Sequence, residues 1–173
     1  MNNLFTSFPK LKTERLTLRE LSFNDIKAVF DLRSSEEINK LITRKTPAHI
    51  EEAKEFISVC HSEFKNQNRV FWAMEFNKEV IGTIVFHNIS LKDNYAEIGY
   101  ELNPKFQQKG FMSEAMNAVL EFGKTKMKFK TIEAFTHKNN IPSITLLEKY
   151  NFVLMPERKC KSVADNRIYK LEI

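Results

Sequence analysis

Three strand-like segments follow one another in the middle of this chain with only short turns between them, and this limits the fold more than any other feature. Val70–Phe76 is aromatic-rich and ends at Asn77-Lys78, a pair suited to a tight turn. Residues 80–89 (VIGTIVFHNI) are a nearly continuous apolar run, the pattern of a strand covered on both faces. After polar Lys92-Asp93-Asn94, the segment Tyr95–Leu102 alternates. Ala96, Ile98, Tyr100 and Leu102 share one face, and Glu97, Gly99 and Glu101 share the other.

The flanks supply helices and further strands. Residues 11–21 (LKTERLTLREL) alternate as one half-buried strand. Ser22 and Asp25 have capping-box spacing, and a helix follows through Ile26, Val29, Phe30 and Arg33. A second helix is expected from Thr46, with Pro47 in its first position and a stripe of Ile50, Ala53, Ile57, Cys60 and Phe64. Beyond Asn103-Pro104 the pattern predicts a helix from about Ser113 to Lys126, a strand over 131–136 and a helix over 142–150. Two last strands follow, at 152–154 and 167–173. A meander followed by strand–helix alternation argues for a mixed sheet with helices on its faces. Such sheets bind ligands where neighbouring strands diverge, outside their carboxyl ends.

Neither a repeat nor a linker interrupts the 173 residues, so residues 1–173 read as a single domain. The longest apolar run is too short for a membrane span, and the first residues lack a secretory signal, which points to a soluble, cytoplasmic protein without a membrane partner. Cys60 and Cys160 read as buried small hydrophobes. The net charge of +5 is mild; its densest run, Lys124, Lys126, Lys128 and Lys130, suits a helix C-terminus better than a nucleic acid. His49, His61, His87 and His137 show no metal-ligand spacing, so no metal is expected.

Chemistry concentrates in residues 102–115 (LNPKFQQKGFMSEA). A strand ends, a loop containing Gly110 turns, and a helix begins near Ser113 and Glu114. Amides at such a helix start lack partners and bind anions such as a pyrophosphate. Gly110 admits close approach, and Lys109 adds charge. The Gly-Lys-Ser/Thr phosphate loop and the dinucleotide glycine fingerprint are both missing, which leaves ATP hydrolysis and nicotinamide chemistry without support.

In this context the stretch resembles a known family. Gln107-Gln108-Lys109-Gly110-Phe111-Met112 is similar to the Gln/Arg-x-x-Gly-x-Gly/Ala acetyl-CoA loop of the GNAT superfamily. Residues 13–19 (TERLTLR) resemble the opening strand of the RimJ/RimL-type N-acetyltransferases, and residues 96–100 (AEIGY) their central strand. Asn140-Ile141-Pro142-Ser143, followed by residues 147–152 (LEKYNF), resembles their Asn-x-x-Ser…Glu-Lys-x-Gly-Phe segment. Met112 replaces the last small residue of the loop. Asn151 replaces a glycine, and asparagine is the next best residue for a left-handed turn.

The resemblance implies an α+β fold: a mixed, mostly antiparallel, twisted sheet flanked by about four helices. It implies acetyl-CoA as cosubstrate, with the diphosphate on amides of Gln108, Lys109, Gly110, Phe111, Met112 and Ser113 and the pantetheine along the backbone at Leu102. Gln107 belongs to the same loop, and Asn140 and Ser143 are expected to meet the pantetheine amides. An amine then attacks the thioester directly, with Glu97 as the candidate base and a main-chain N–H near Leu102 facing the oxyanion. Glu101 is a second choice of base. The family's thiolate-protonating tyrosine is replaced by Leu147, and Tyr150 is expected in the core. Ser113 is assigned to helix capping or a phosphate, Glu114 to the positive helix end, and Trp72 or Phe71 to the core or the border of the acceptor groove. The acceptor implied first is a protein N-terminal α-amine of ribosomal-protein type. The alternatives are a small amine (polyamine, amino acid, aminoglycoside) or a non-catalytic acyl-CoA-binding module. A monomer or homodimer is expected, with no direct nucleic-acid partner.

Overall fold

The computed structural model describes residues 7–173. In chain order the elements are β1 (Leu11–Lys12), β2 (Thr17–Glu20), α1 (Ile26–Ser34), α2 (Glu36–Asn39), α3 (Ile50–Lys65), β3 (Val70–Phe76), β4 (Glu79–Ser90) and β5 (Tyr95–Leu102). They continue as α4 (Phe111–Phe122), β6 (Thr131–His137), α5 (Ile141–Lys149), β7 (Val153–Leu154) and β8 (Asn166–Glu172). The strands make one eight-stranded sheet in the order β1-β2-β3-β4-β5-β6-β8-β7. Every adjacent pair is antiparallel except β5 and β6. The expected mixed, mostly antiparallel sheet is present, with five α-helices among the described residues, of which α2 is a single turn.

Alternation along the central strands divides the core in two. Trp72, Met74, Ile84, Phe86 and Ile98 point toward α4 and pack on Phe111, Met116, Val119 and Phe122. Phe71 and Ala73 point the other way, onto Val29, Leu32, Ile57 and Cys60 of α1 and α3. Trp72 is wholly buried among rings, and its Nε1–H donates to the Pro9 carbonyl (2.7 Å), so it does not border a groove. Burying one such large side chain contributes about 1.5–3 kcal/mol.

Four local expectations are corrected. The opening strand is a two-stranded hairpin, because Thr13 N–H and Oγ1 both bond Leu16 and throw Glu14 and Arg15 outward. The second long helix starts at Ile50 instead of Thr46. Glu52 Oε1 accepts from the N–H groups of Ala48 and His49, which closes the cap there and leaves Pro47 in the lead-in. The third starts at Phe111, two residues before Ser113, and its last turn is a wide π-type turn over Gly123–Met127 that ends with Lys128 left-handed at φ 59°. Tyr150 is not simply core, since its hydroxyl donates to the Ser113 carbonyl at 2.5 Å. The Ser22–Asp25 capping box forms as read, and Asn151 adopts the left-handed conformation at φ 62°. Both cysteines are buried and free.

Candidate active site

The sheet opens at its one parallel junction. The β5–β6 ladder runs from the Tyr95–Thr131 pair to the Ile98–Ala134 pair and then stops. β5 continues to Leu102, still paired with β4, while β6 continues to His137, paired with β8. The two strands therefore part at their carboxyl ends, where a ligand can lie between them.

Leu102 is placed on the edge of this gap by pairing phase. The Asn103 N–H donates to the Ile81 carbonyl (2.8 Å), so the neighbouring Gly82–Leu102 pair is of the non-hydrogen-bonded kind. The N–H and C=O of Leu102 thus face away from β4 and toward the gap, as do those of Tyr100. Gln107 Nε2 donates to the Leu102 carbonyl (3.0 Å), tying the loop to the strand end. Gly82 permits the arrangement, since a Cβ there would meet the Glu101 carbonyl oxygen at 2.5 Å.

The loop from Gln107 presents the start of α4 at the same end of the sheet. Gln108 and Gly110 are both left-handed, at φ 59° and 80°. Gly110 is the N-cap and supplies no side chain, so the first-turn amides of Phe111, Met112 and Ser113 have no cap. By contrast, Asn140 Oδ1 caps α5 by accepting from the Ser143 N–H (3.3 Å). Lys109 Nζ is turned back onto the Lys105 carbonyl (2.8 Å), although Lys109 itself stays exposed. The uncapped amides and the left-handed glycine fit an anionic group such as a diphosphate.

Residues that the sequence reading assigned elsewhere hold this helix start in place. Arg15 reaches across from the β1–β2 turn. Its Nη1–H donates to the Lys109 carbonyl (3.0 Å), its Nε–H to Glu114 Oε2 (2.7 Å), and its guanidinium lies 4.2 Å from the Phe111 ring centre. The Thr13 hydroxyl and the Arg15 N–H donate to Glu114 Oε1. Burial pulls the Glu114 pKa upward, but these hydrogen bonds outweigh it and hold the carboxyl below its ordinary value. Glu114 is therefore a clamp between the first hairpin and α4, beyond its place in the positive first turn. Ser113 Oγ lies 3.0 Å from Tyr150 Oη and accepts from Lys149 Nζ (2.7 Å), which corrects its assignment to helix capping.

Across the gap, Ser143 Oγ and Tyr100 Oη are hydrogen-bonded at 2.8 Å. Burial pushes the Tyr100 phenol up to about 12, so it keeps its proton at neutral pH. Leu147 is wholly buried and has no proton to give.

Glu97 lies on the opposite face of β5, one residue before the ladder ends. It accepts from Tyr95 Oη (3.2 Å), and its Oε2 lies 3.7 Å from His87 Nδ1. The same phenol donates to Glu133 Oε2 (3.1 Å), and Glu133 is itself buried against Arg158. Burial lowers the His87 pKa, with Glu97 opposing, which favours neutral imidazole above pH 7. Burial and then the two carboxylates push the Tyr95 phenol upward, fixing it as a donor. Glu101 is more deeply buried, accepts from Thr83 Oγ1 (3.2 Å), and lies 2.6 Å from Arg44 Nη2. Glu101 is occupied by that ion pair, so Glu97 is the better placed of the two. Two concavities of about 580 Å³ flank α4, but neither includes any residue from Leu102 to Gly110. Among the described residues no cluster could hold a metal ion, and no helix is long and apolar enough to cross a membrane.

Comparison with known proteins adds the family. Residues 15–153 match the model of the acetyltransferase (GNAT) domain. The chain belongs to the GNAT acetyltransferase family. It is 33% identical over 147 residues to the "uncharacterized N-acetyltransferase YoaA" of Bacillus subtilis strain 168, covering 84% of this chain and 83% of that one. Among solved structures it resembles RimL, the ribosomal L7/L12 α-N-protein acetyltransferase in complex with coenzyme A. That match has a TM-score of 0.85 and 16% identity, and covers 95% of this chain and 98% of the other. It also resembles MccE, the microcin C7 self-immunity acetyltransferase in complex with acetyl-CoA and AMP, with a TM-score of 0.80, 22% identity and 98% coverage of each. The protein is thus an N-acetyltransferase of this family.

Proposed function

We propose that the chain moves the acetyl group of acetyl-CoA to a protein N-terminal α-amine by direct attack. The observation carrying this reading is the meeting of two backbone features at one end of the sheet: the uncapped start of α4 and the Leu102 N–H facing the β5–β6 gap. In the proposed complex the diphosphate lies on amides of Gln108 to Ser113, and the pantetheine pairs with β5 as an added strand. Gln107 keeps the loop on the Leu102 carbonyl. Asn140 Nδ2 and Ser143 Oγ meet pantetheine amides once Ser143 exchanges its bond to Tyr100. The Leu102 N–H stabilises the oxyanion that forms as the amine attacks.

Glu97 is the carboxylate of the proton-accepting group, with Tyr95 and His87 holding it on the acceptor face of β5. An α-amine, with a pKa of about 7.7–8.0, needs only modest help to become neutral, whereas a lysine amine at about 10.4 needs far more. The thiolate leaves unassisted by Leu147, which its ordinary pKa of about 8.5 permits. RimL, as named, acts on a protein α-amine, which favours this acceptor; the AMP of the MccE complex favours a small acceptor as the second reading. Thiol release measured against a panel of peptides and small amines tests the proposal. Turnover with peptides carrying a free α-amine supports it, and turnover with small amines alone selects the second reading. Binding of acetyl-CoA with no amine-dependent release would make the chain an acyl-CoA-binding module.

A further inference from the structure

Three arginines gather on the acceptor face of β5, and among the described residues Arg44 alone of the three has an ion-pair partner. Arg44, from the segment after α2, donates to Asn39 Oδ1 (2.8 Å) and the Leu32 carbonyl (3.3 Å) and pairs with Glu101. Arg33, at the end of α1, instead lies flat on Phe56 of α3, its guanidinium carbon 3.8 Å from the ring centre. No described carboxylate is within ion-pair distance of it. Arg69 stands just before β3, in the row that continues through His87 and Glu97. Its Nε is sealed from solvent without a hydrogen-bond partner, and its guanidinium otherwise meets the Cys60 thiol. Burial, and next the like charge of Arg44, push the Arg33 guanidinium below its usual value; Glu101 and Cys60 oppose the shift, and Arg69 adds to it. The remaining carboxylates in reach are Glu63, beside Cys60, and Glu97, beyond His87.

A half-buried guanidinium with no ion-pair partner of its own, beside two others, is costly because the Coulomb repulsion is poorly screened there. A planar fork of this kind binds a carboxylate or a phosphate in two-point fashion. Glu101, which anchors Arg44, immediately precedes Leu102, whose N–H faces the thioester carbonyl in the proposed complex. That spacing along the strand is about 3.3 Å. We infer that Arg33 and Arg69 form a subsite for an anionic group, so that the acceptor is a primary amine carrying a carboxylate or phosphate a few bonds away. On an N-terminal segment this group is an acidic side chain near the free amine. The inference rests on the acceptor-face reading given above.

The test uses matched acceptors: the tripeptide amides Ser-Glu-Ala and Ser-Gln-Ala, and O-phosphoethanolamine against ethanolamine. Thiol release from acetyl-CoA is expected to favour the anionic member of at least one pair by about tenfold or more in kcat/KM, and Arg33→Gln to reduce that ratio toward one. Arg33→Lys, which keeps the charge, retains part of the preference and guards against a folding defect. Preference for the peptide pair alone identifies an acidic N-terminal segment, and for the phosphate pair alone a small phosphorylated amine. Equal use of neutral and anionic members, or a ratio unaffected by Arg33→Gln, overturns the subsite. Calorimetric binding of O-phosphoethanolamine and of Ser-Glu-Ala to the protein with coenzyme A present separates this outcome from failure of the catalytic reading. The subsite predicts that at least one binds and weakens about tenfold in Arg33→Gln, even if nothing turns over. Absence of binding by either, or equal binding by the variant, refutes it.

Discussion

Replacing Gly82 by alanine tests how closely the gap depends on the packing beneath it. A Cβ at this position would meet the Glu101 carbonyl oxygen at 2.5 Å, Leu102 Cδ1 at 2.9 Å and Leu102 Cα at 3.1 Å. The first is a backbone atom, so no rotamer change relieves it, and the end of β5 must move by about 0.5–1 Å. Overpacking of this kind costs about 1–3 kcal/mol. The reduced entropy of the unfolded alanine chain offsets about 0.4–1 kcal/mol, because no left-handed backbone opposes it at this position. The net loss is about 1–2 kcal/mol, which lowers the melting midpoint of a chain this size by about 2–8 °C. In the proposed complex the same shift moves the Leu102 N–H off the developing oxyanion, and a misplacement near 1 Å costs up to about 100-fold in rate. Thermal unfolding and thiol release, measured on one preparation, should therefore show a modest loss of stability and a drop in turnover of about 10- to 100-fold. A Gly82→Ala protein with wild-type midpoint and turnover would refute the packing argument and the role of Leu102 together.

Further outcomes follow from the same geometry. Glu97→Gln should lower turnover while leaving acetyl-CoA affinity, measured by calorimetry, near wild type; unchanged turnover at neutral pH removes Glu97 from the mechanism. Gly110→Asp should weaken coenzyme A binding by about tenfold or more, because it puts a negative charge and a β-carbon on the left-handed residue at the diphosphate. Asp25→Asn should cost about 1–3 kcal/mol in denaturant unfolding at pH 7, since this buried carboxylate accepts two hydrogen bonds from Arg19 and one from the Ser22 N–H. Burial raises the Asp25 pKa, but Arg19 and Ser22 lower it further, to a net value below 3.8. Its contribution is therefore complete above 3.8 and lost as pH falls through the lower folded value, so the gap between wild type and Asp25→Asn should close below about pH 4.

Local chemistry makes some of this legible in the sequence itself. Period-two alternation located Tyr95–Leu102 to the residue, and the tolerance of asparagine for positive φ foretold Asn151. The loop through Gly110 was legible because helix starts and glycine have the same meaning in any fold. The splitting of β5 from β6 was not, since it depends on sheet twist and on β8 taking the far side of β6. The Arg15–Glu114 clamp joins residues 99 apart in sequence, and no local pattern announces it. Arg33, Arg44 and Arg69 come from three separate segments of the chain and share no periodicity, so only the fold collects them. The early helix start read at Thr46 failed because Pro47 suits a lead-in as well as a first turn, and Glu52 decided between them.

The most direct test of the account is a crystal structure of the protein with coenzyme A. The account predicts the diphosphate within hydrogen-bond distance of main-chain N–H groups between Gln108 and Ser113, with the pantetheine running beside Tyr100 and Leu102 in the β5–β6 gap. A coenzyme bound in either concavity beside α4, or held by side chains alone with those amides still facing solvent, would contradict it.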